Sequence, residues 1–112
     1  MWFLRSPSLG WLLFLVLTVA AYAGIVDNGF CLDDTGIVID NRFVGAAAWG
    51  EIWTRSYWHG VTGEAGGLYR PLTLSLITLE RLLFDGRAMP YHVVSVLLQV
   101  LAGACLAAAA RR

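Results

Sequence analysis

Two long apolar runs without a charge bracket a polar middle, and that pattern leaves few folds open. The first runs from Leu9 to Val26 (LGWLLFLVLTVAAYAGIV) and the second from Tyr91 to Ala110 (YHVVSVLLQVLAGACLAAAA). A membrane-spanning helix needs about 17–25 predominantly apolar residues, and both runs meet that length. Of the 112 residues only 14% are charged, and every basic side chain is Arg. A small soluble domain has no need of two uncharged stretches this long. The formal net charge is zero. No basic stripe with interleaved aromatics runs through the chain, so no nucleic-acid partner is expected.

The expected architecture is therefore an all-α membrane protein. Two transmembrane helices, 9–26 and 91–110, flank an outer segment, 27–90. Arg5 precedes the first run, Arg111 and Arg112 follow the second, and all eight acidic residues lie between. The positive-inside rule then puts residues 1–8 and 111–112 in the cytoplasm and the middle in the periplasm or lumen. This describes a multi-pass protein of a bacterial inner membrane or the endoplasmic reticulum. A rival reading takes Met1–Ala23, with its Ala21-Tyr22-Ala23 end, as a cleaved signal. The apolar run continues through Ile25-Val26, which favours an anchor, and either way Asp33 and Asp34 lie outside. Cys31 at the outer surface and Cys105 deep in the second run are not expected to meet. His92 and Ser95 stand near one end of that second run and Gln99 nearer its middle. Ala102, Gly103, Ala104 and Ala107 to Ala110 suit close helix packing in lipid.

In the outer segment, Asp27-Asn28-Gly29 signals a turn. Gly36-Ile37-Val38-Ile39-Asp40-Asn41 reads as a short extended piece or a loop. Ala46 to Trp58 reads as a helix (46–58), with Trp49, Ile52, Trp53 and Tyr57 on one face and Glu51 and Arg55 opposite. An aromatic face suits the headgroup region, and it equally suits packing against protein. His59 to Leu68 is a Gly-rich loop. Pro71 suits a first helical position, opening a helix over 71–84 with Leu72, Leu76, Leu79 and Leu83 in a stripe. That helix is too short to span and carries Glu80-Arg81, so it should lie at the interface.

The chemistry-bearing residues are Asp33 and Asp34, an acidic pair just past the first run. A charge at a membrane exit is a functional candidate. Its plain alternative is a solvated loop or a helix N-cap at Asp34. A divalent cation is one use of such a pair, but no cluster of further ligands supports it, and no cofactor is implied. Arg70 either grips an anion or pairs with Glu64 or Glu80. Tyr69 and His92 are possible structural or site-lining residues, and His59 reads as a loop residue.

The order of these pieces resembles one family. Gly29-Phe30-Cys31-Leu32-Asp33-Asp34, Asp40-Asn41, the Trp49–Trp58 stretch, Tyr69-Arg70-Pro71-Leu72-Thr73, Leu82-Leu83-Phe84-Asp85-Gly86 and Pro90-Tyr91-His92-Val93-Val94 follow one another between the two runs. The set, over residues 27–99, resembles the amino-terminal part of the membrane glycosyltransferases of the GT-C fold. Nearest are the transmembrane, tetratricopeptide-repeat O-mannosyltransferases and their bacterial relatives. Protein O-mannosyltransferases and lipid A aminoarabinose transferases are more distant. The resemblance implies a partial GT-C fold and transfer of a sugar from a polyprenyl- or dolichyl-phosphate donor to a protein hydroxyl or other acceptor on the outer side. It casts Asp33 and Asp34 as the family's catalytic acid pair. The chemistry asks for the same types: a carboxylate can take the acceptor's proton, and Arg70, with its planar, permanently charged fork, suits a contact to the lipid phosphate or an ion pair that orients the acids.

Ser95 and Gln99 stand where the family often shows Asn and His. Two helices cannot enclose a polyprenyl phosphate and keep water out. The sequence therefore predicts a piece of a larger enzyme, a truncated frame, or a chain that needs the spans of a partner, inactive alone. The alternatives are a non-catalytic two-span protein whose outer segment mediates assembly, and, if the first run is cleaved, a small secreted or tethered domain.

Overall fold

The computed structural model describes residues 7–110, and every regular element among them is helical. The chain divides into two units. One comprises the first 28 residues and His92 onward, and the other is Gly29–Tyr91.

The first unit contains α1 (Pro7–Tyr22), a 3-10 turn (Ala23–Asp27) and most of α6 (Ala88–Ala110). The stretches Ser8–Asp27 and Ala88–Ala110 are each long and apolar enough to cross a membrane. At 1.5 Å per residue, about 20 residues match a hydrocarbon core of about 30 Å. Most side chains of α1 lie open, whereas on α6 exposed and half-buried positions alternate. Thr18 is the buried residue of α1, and its hydroxyl donates to the Phe14 carbonyl at 2.8 Å. Such back-bonding satisfies a hydroxyl without leaving the helix. On α6, a β-carbon at Gly103 would run into the ring of Phe14, so the helices approach through that aromatic side chain and a residue lacking one.

The second unit has its own core. Ile37, Phe43, Val44, Ile52 and Leu74 are buried together, with Ala48, Tyr57, Trp58 and Ile77 against them. A π-helical turn (Thr35–Asp40), α2 (Arg42–Gly45) and α3 (Trp49–Thr54) pack on α5 (Pro71–Phe84), and α4 (His59–Thr62) packs on the π turn and α2. Asn41 starts α2 in the usual way for an N-cap, its Oδ1 accepting from the Phe43 and Val44 amides at 3.0 and 3.3 Å. Gly63 at φ +77° ends α4, and Asp85 and Gly86, at φ +50° and +72°, end α5.

Four expectations change. The β-branched stretch after Gly36 is a π turn rather than an extended piece, and it buries Ile37 and Val38 together. The helix expected over 46–58 is confined to Trp49–Thr54. Ala47 is left-handed at its start and Arg55 is extended at its end, and the stretch expected as a Gly-rich loop opens instead on the helical turn of α4. The break has a cause: the Tyr57 amide donates to the Leu68 carbonyl at 2.6 Å, a tertiary bond in place of a helical one. On α5 the face toward the core is Leu74 and Thr78, while Leu72, Leu79 and Leu83 of the leucine stripe point outward. The outward leucines are apolar surface that this unit does not itself cover.

Candidate functional site

The acidic pair sits where a turn becomes a helix. Leu32 adopts a left-handed conformation at φ +47° and is 91% exposed. An L-residue there costs roughly 1–2 kcal/mol. The Asp34 amide then donates to the Cys31 carbonyl at 3.0 Å, and Asp33 and Asp34 open the helical path into the π turn. π-helical turns occur disproportionately at functional sites. Asp34 is itself helical (φ −60°, ψ −41°) and its side chain caps nothing. Both carboxylates are exposed, and neither makes a hydrogen bond or ion pair among the described residues.

The segment before the pair is anchored by rings. Phe30 meets Tyr91 edge-on at 5.2 Å between centroids, and Phe84 meets the same ring at 6.4 Å. The ends of three sequence motifs (Phe30 ahead of Asp33-Asp34, Phe84 ahead of Asp85-Gly86, and Tyr91 after Pro90) thus converge on one tyrosine.

Arg70 arrives from another direction. It stands at the N-cap of α5 with φ −140° and ψ 67°. Its guanidinium carbon lies 5.9 Å from the centroid of the Tyr57 ring, within cation–π range. It forms no ion pair with Glu64 or Glu80 among the described residues. The approach is held by two bonds: Tyr57 amide to Leu68 carbonyl, and Tyr69 hydroxyl to Trp53 carbonyl, both at 2.6 Å. Tyr69 is therefore a strap that fastens residues 68–70 to the end of α3.

Tyr57 lies under Arg70 and feels the charge of the acid pair. Its hydroxyl is pushed above its ordinary value, chiefly by burial; Arg70 pulls it down, and Asp34 and then Asp33 push it up. Both carboxylates and the guanidinium thus act electrostatically on one phenol. Sequence reasoning placed Tyr57 on an aromatic helix face and missed this position. Only the departure of the chain from a helix after Thr54 turns its ring toward Arg70.

A second group escaped the sequence. Glu80 is 6% exposed, and burial pushes its carboxyl up to about 7. No salt bridge offsets that burial among the described residues. A Glu followed by Arg81 on a surface-type helix carries no signal that it will face inward.

His92 belongs to the other unit. With Tyr22, Ile25, Ser95, Val96 and Gln99 it lines a cleft of about 240 Å3 beside α1 and α6. Among the described residues no three His, Cys, Asp or Glu side chains gather in a way that could hold a metal. The second unit does present two free carboxylates able to take a proton, a guanidinium able to hold an anion, and a phenol under the influence of all three. No known protein family, curated protein or solved structure matches this chain.

Proposed function

We propose that this chain is a membrane-inserted segment of a sugar transferase of the GT-C type, using a polyprenyl- or dolichyl-phosphate sugar as donor and a protein hydroxyl or other hydroxyl as acceptor. The observation that carries the reading is that Asp33, Asp34 and Arg70, distant in sequence, act on the same Tyr57 side chain. The two apolar helices that precede and follow this unit in the chain and the outward leucines of α5 support a location at a membrane surface, and the arginines at the outer ends of the two apolar runs support an outer side with both chain ends cytoplasmic.

In this mechanism Asp33 accepts the proton of the acceptor hydroxyl as its oxygen bonds to the anomeric carbon. The bond from that carbon to the phosphate oxygen breaks, and the lipid phosphate leaves with the electron pair. Arg70 holds that phosphate. Asp34 orients the acceptor, and the Tyr57 ring holds the guanidinium in place. Enclosure of the donor needs further membrane-spanning segments, since two helices leave the reaction open to water.

The test is photo-crosslinking of the chain, reconstituted in vesicles, to a polyprenyl phosphate carrying a diazirine on its tail. Arg70→Gln is expected to cut the crosslinked fraction about tenfold, as loss of a charge-assisted contact does, with Arg70→Lys intermediate. Equal labelling of parent and Arg70→Gln would count against the donor site and favour a non-catalytic assembly module.

A further inference from the structure

The helix pair of the first unit has two unlike flanks. Around α6, Ser95 and Gln99 lie to one side of Val96, and Val93 and Leu97 lie to the other. The first side opens on the cleft that Tyr22 and His92 share. The second lines an apolar cleft of about 200 Å3 with Val19 and Val26. Gln99 is the middle residue of Ala88–Ala110 and is exposed. An exposed carboxamide at mid-depth of a span faces hydrocarbon that offers it no hydrogen bond.

The polar flank is complementary to itself. A carboxamide both donates and accepts, as does a serine hydroxyl, and no acidic or Arg side chain lines the cleft to set two copies repelling one another. Chains inserted in the same sense place equivalent residues at equal depth, so a two-fold axis along the membrane normal brings each polar group to its own counterpart. We propose that the flank bearing Ser95 and Gln99 is the interface with a second copy of this chain, joined by hydrogen bonds between the Gln99 carboxamides, while the Val93–Leu97 flank faces acyl chains. The proposal rests on the reading of these two helices as membrane spans, and on nothing in the sugar-transfer mechanism.

The experiment is energy transfer between donor- and acceptor-labelled full chains in vesicles, followed across lipid-to-protein ratios, after alkaline extraction has tested insertion. The expected result is inserted chains whose transfer saturates as a dimer. Gln99→Leu should weaken association about tenfold without reducing insertion, Ser95→Ala should weaken it less, and Leu97→Ala should leave it unchanged. Release by alkaline extraction would overturn the membrane reading and this interface together. Inserted chains that stay monomeric at every ratio would overturn the interface alone, as would association that survives Gln99→Leu but fails with Leu97→Ala.

Discussion

The guanidinium of Arg70 lies over the ring of Tyr57, 5.9 Å from its centroid, although twelve residues, α4 and a Gly-rich loop, separate them. The backbone bond from Tyr57 to Leu68 closes that loop. The relationship makes Tyr57 a reporter of the site. Arg70 lowers the pH at which the phenol ionises and the two acids raise it. Arg70→Gln should therefore move the Tyr57 titration to higher pH. Asp34→Asn should move it down, and Asp33→Asn should move it down less. Carbon-13 resonances of labelled tyrosine ring carbons, followed with pH, check all three directions. A titration indifferent to Arg70→Gln would separate the acid pair from the arginine.

Glu80 makes stability depend on pH. Its folded carboxyl titrates near about 7 against an ordinary 4.5, so the folded state holds the proton more tightly than the unfolded chain. That preference is fully present below about pH 4.5 and is lost as pH rises through about 7. Glu80→Gln keeps a neutral side chain at every pH. It should match the parent near pH 4 and melt higher than the parent near pH 8. Each kcal/mol moves the midpoint by about 4–8 °C in a unit of this size. Thermal denaturation followed by circular dichroism across that range is the measurement.

Gly60 has no room for a side chain. A β-carbon there would collide with the Asn41 carboxamide and press on Phe43. Gly60→Ala should destabilise the second unit by about 1–3 kcal/mol, and Asn41→Ala by about 0.5–2 kcal/mol through loss of the α2 cap. The two should not add. Removing the Asn41 side chain clears the space that an alanine at 60 needs, so a double-mutant cycle should return a coupling.

The two faces of α5 should respond differently. Leu74 is 1% exposed in the core, and Leu74→Ala should cost about 2–5 kcal/mol. Leu83 is 65% exposed, and Leu83→Ala should change folding stability by less than about 0.5 kcal/mol. In vesicles a spin label at Leu83 should collide with oxygen more than with an aqueous nickel chelate, and one at Arg55 should do the reverse. A water-accessible label at Leu83 would remove α5 from the lipid interface.

The apolar runs were legible because length and lack of charge in a continuous stretch are properties of sequence itself. The helix from Pro71 was legible for a similar reason: a Pro start, a run of good helix formers and an Asp-Gly stop are local signals. Helical spacing identified the leucine stripe of α5 but not which way it turns. Four of its positions suggested an apolar face, and the core chose Leu74 and Thr78 on another. A helix with apolar residues on more than one side has no single inward direction until its neighbours are set.

By itself, then, the sequence determined two helices long and apolar enough for a bilayer, a charged middle between them, and the adjacency of Asp33 and Asp34. Those follow from composition and from bonds along the chain. Only the tertiary structure decided that the helix after Ala46 stops at Thr54, that Ile37 and Val38 are buried on a π turn, and that Arg70 comes to lie over Tyr57. Each of these depends on a partner far away in the chain, such as the Leu68 carbonyl that takes the Tyr57 amide. Local preference is worth tenths of a kcal/mol per residue, and a buried contact or tertiary hydrogen bond of about 1 kcal/mol overrides it.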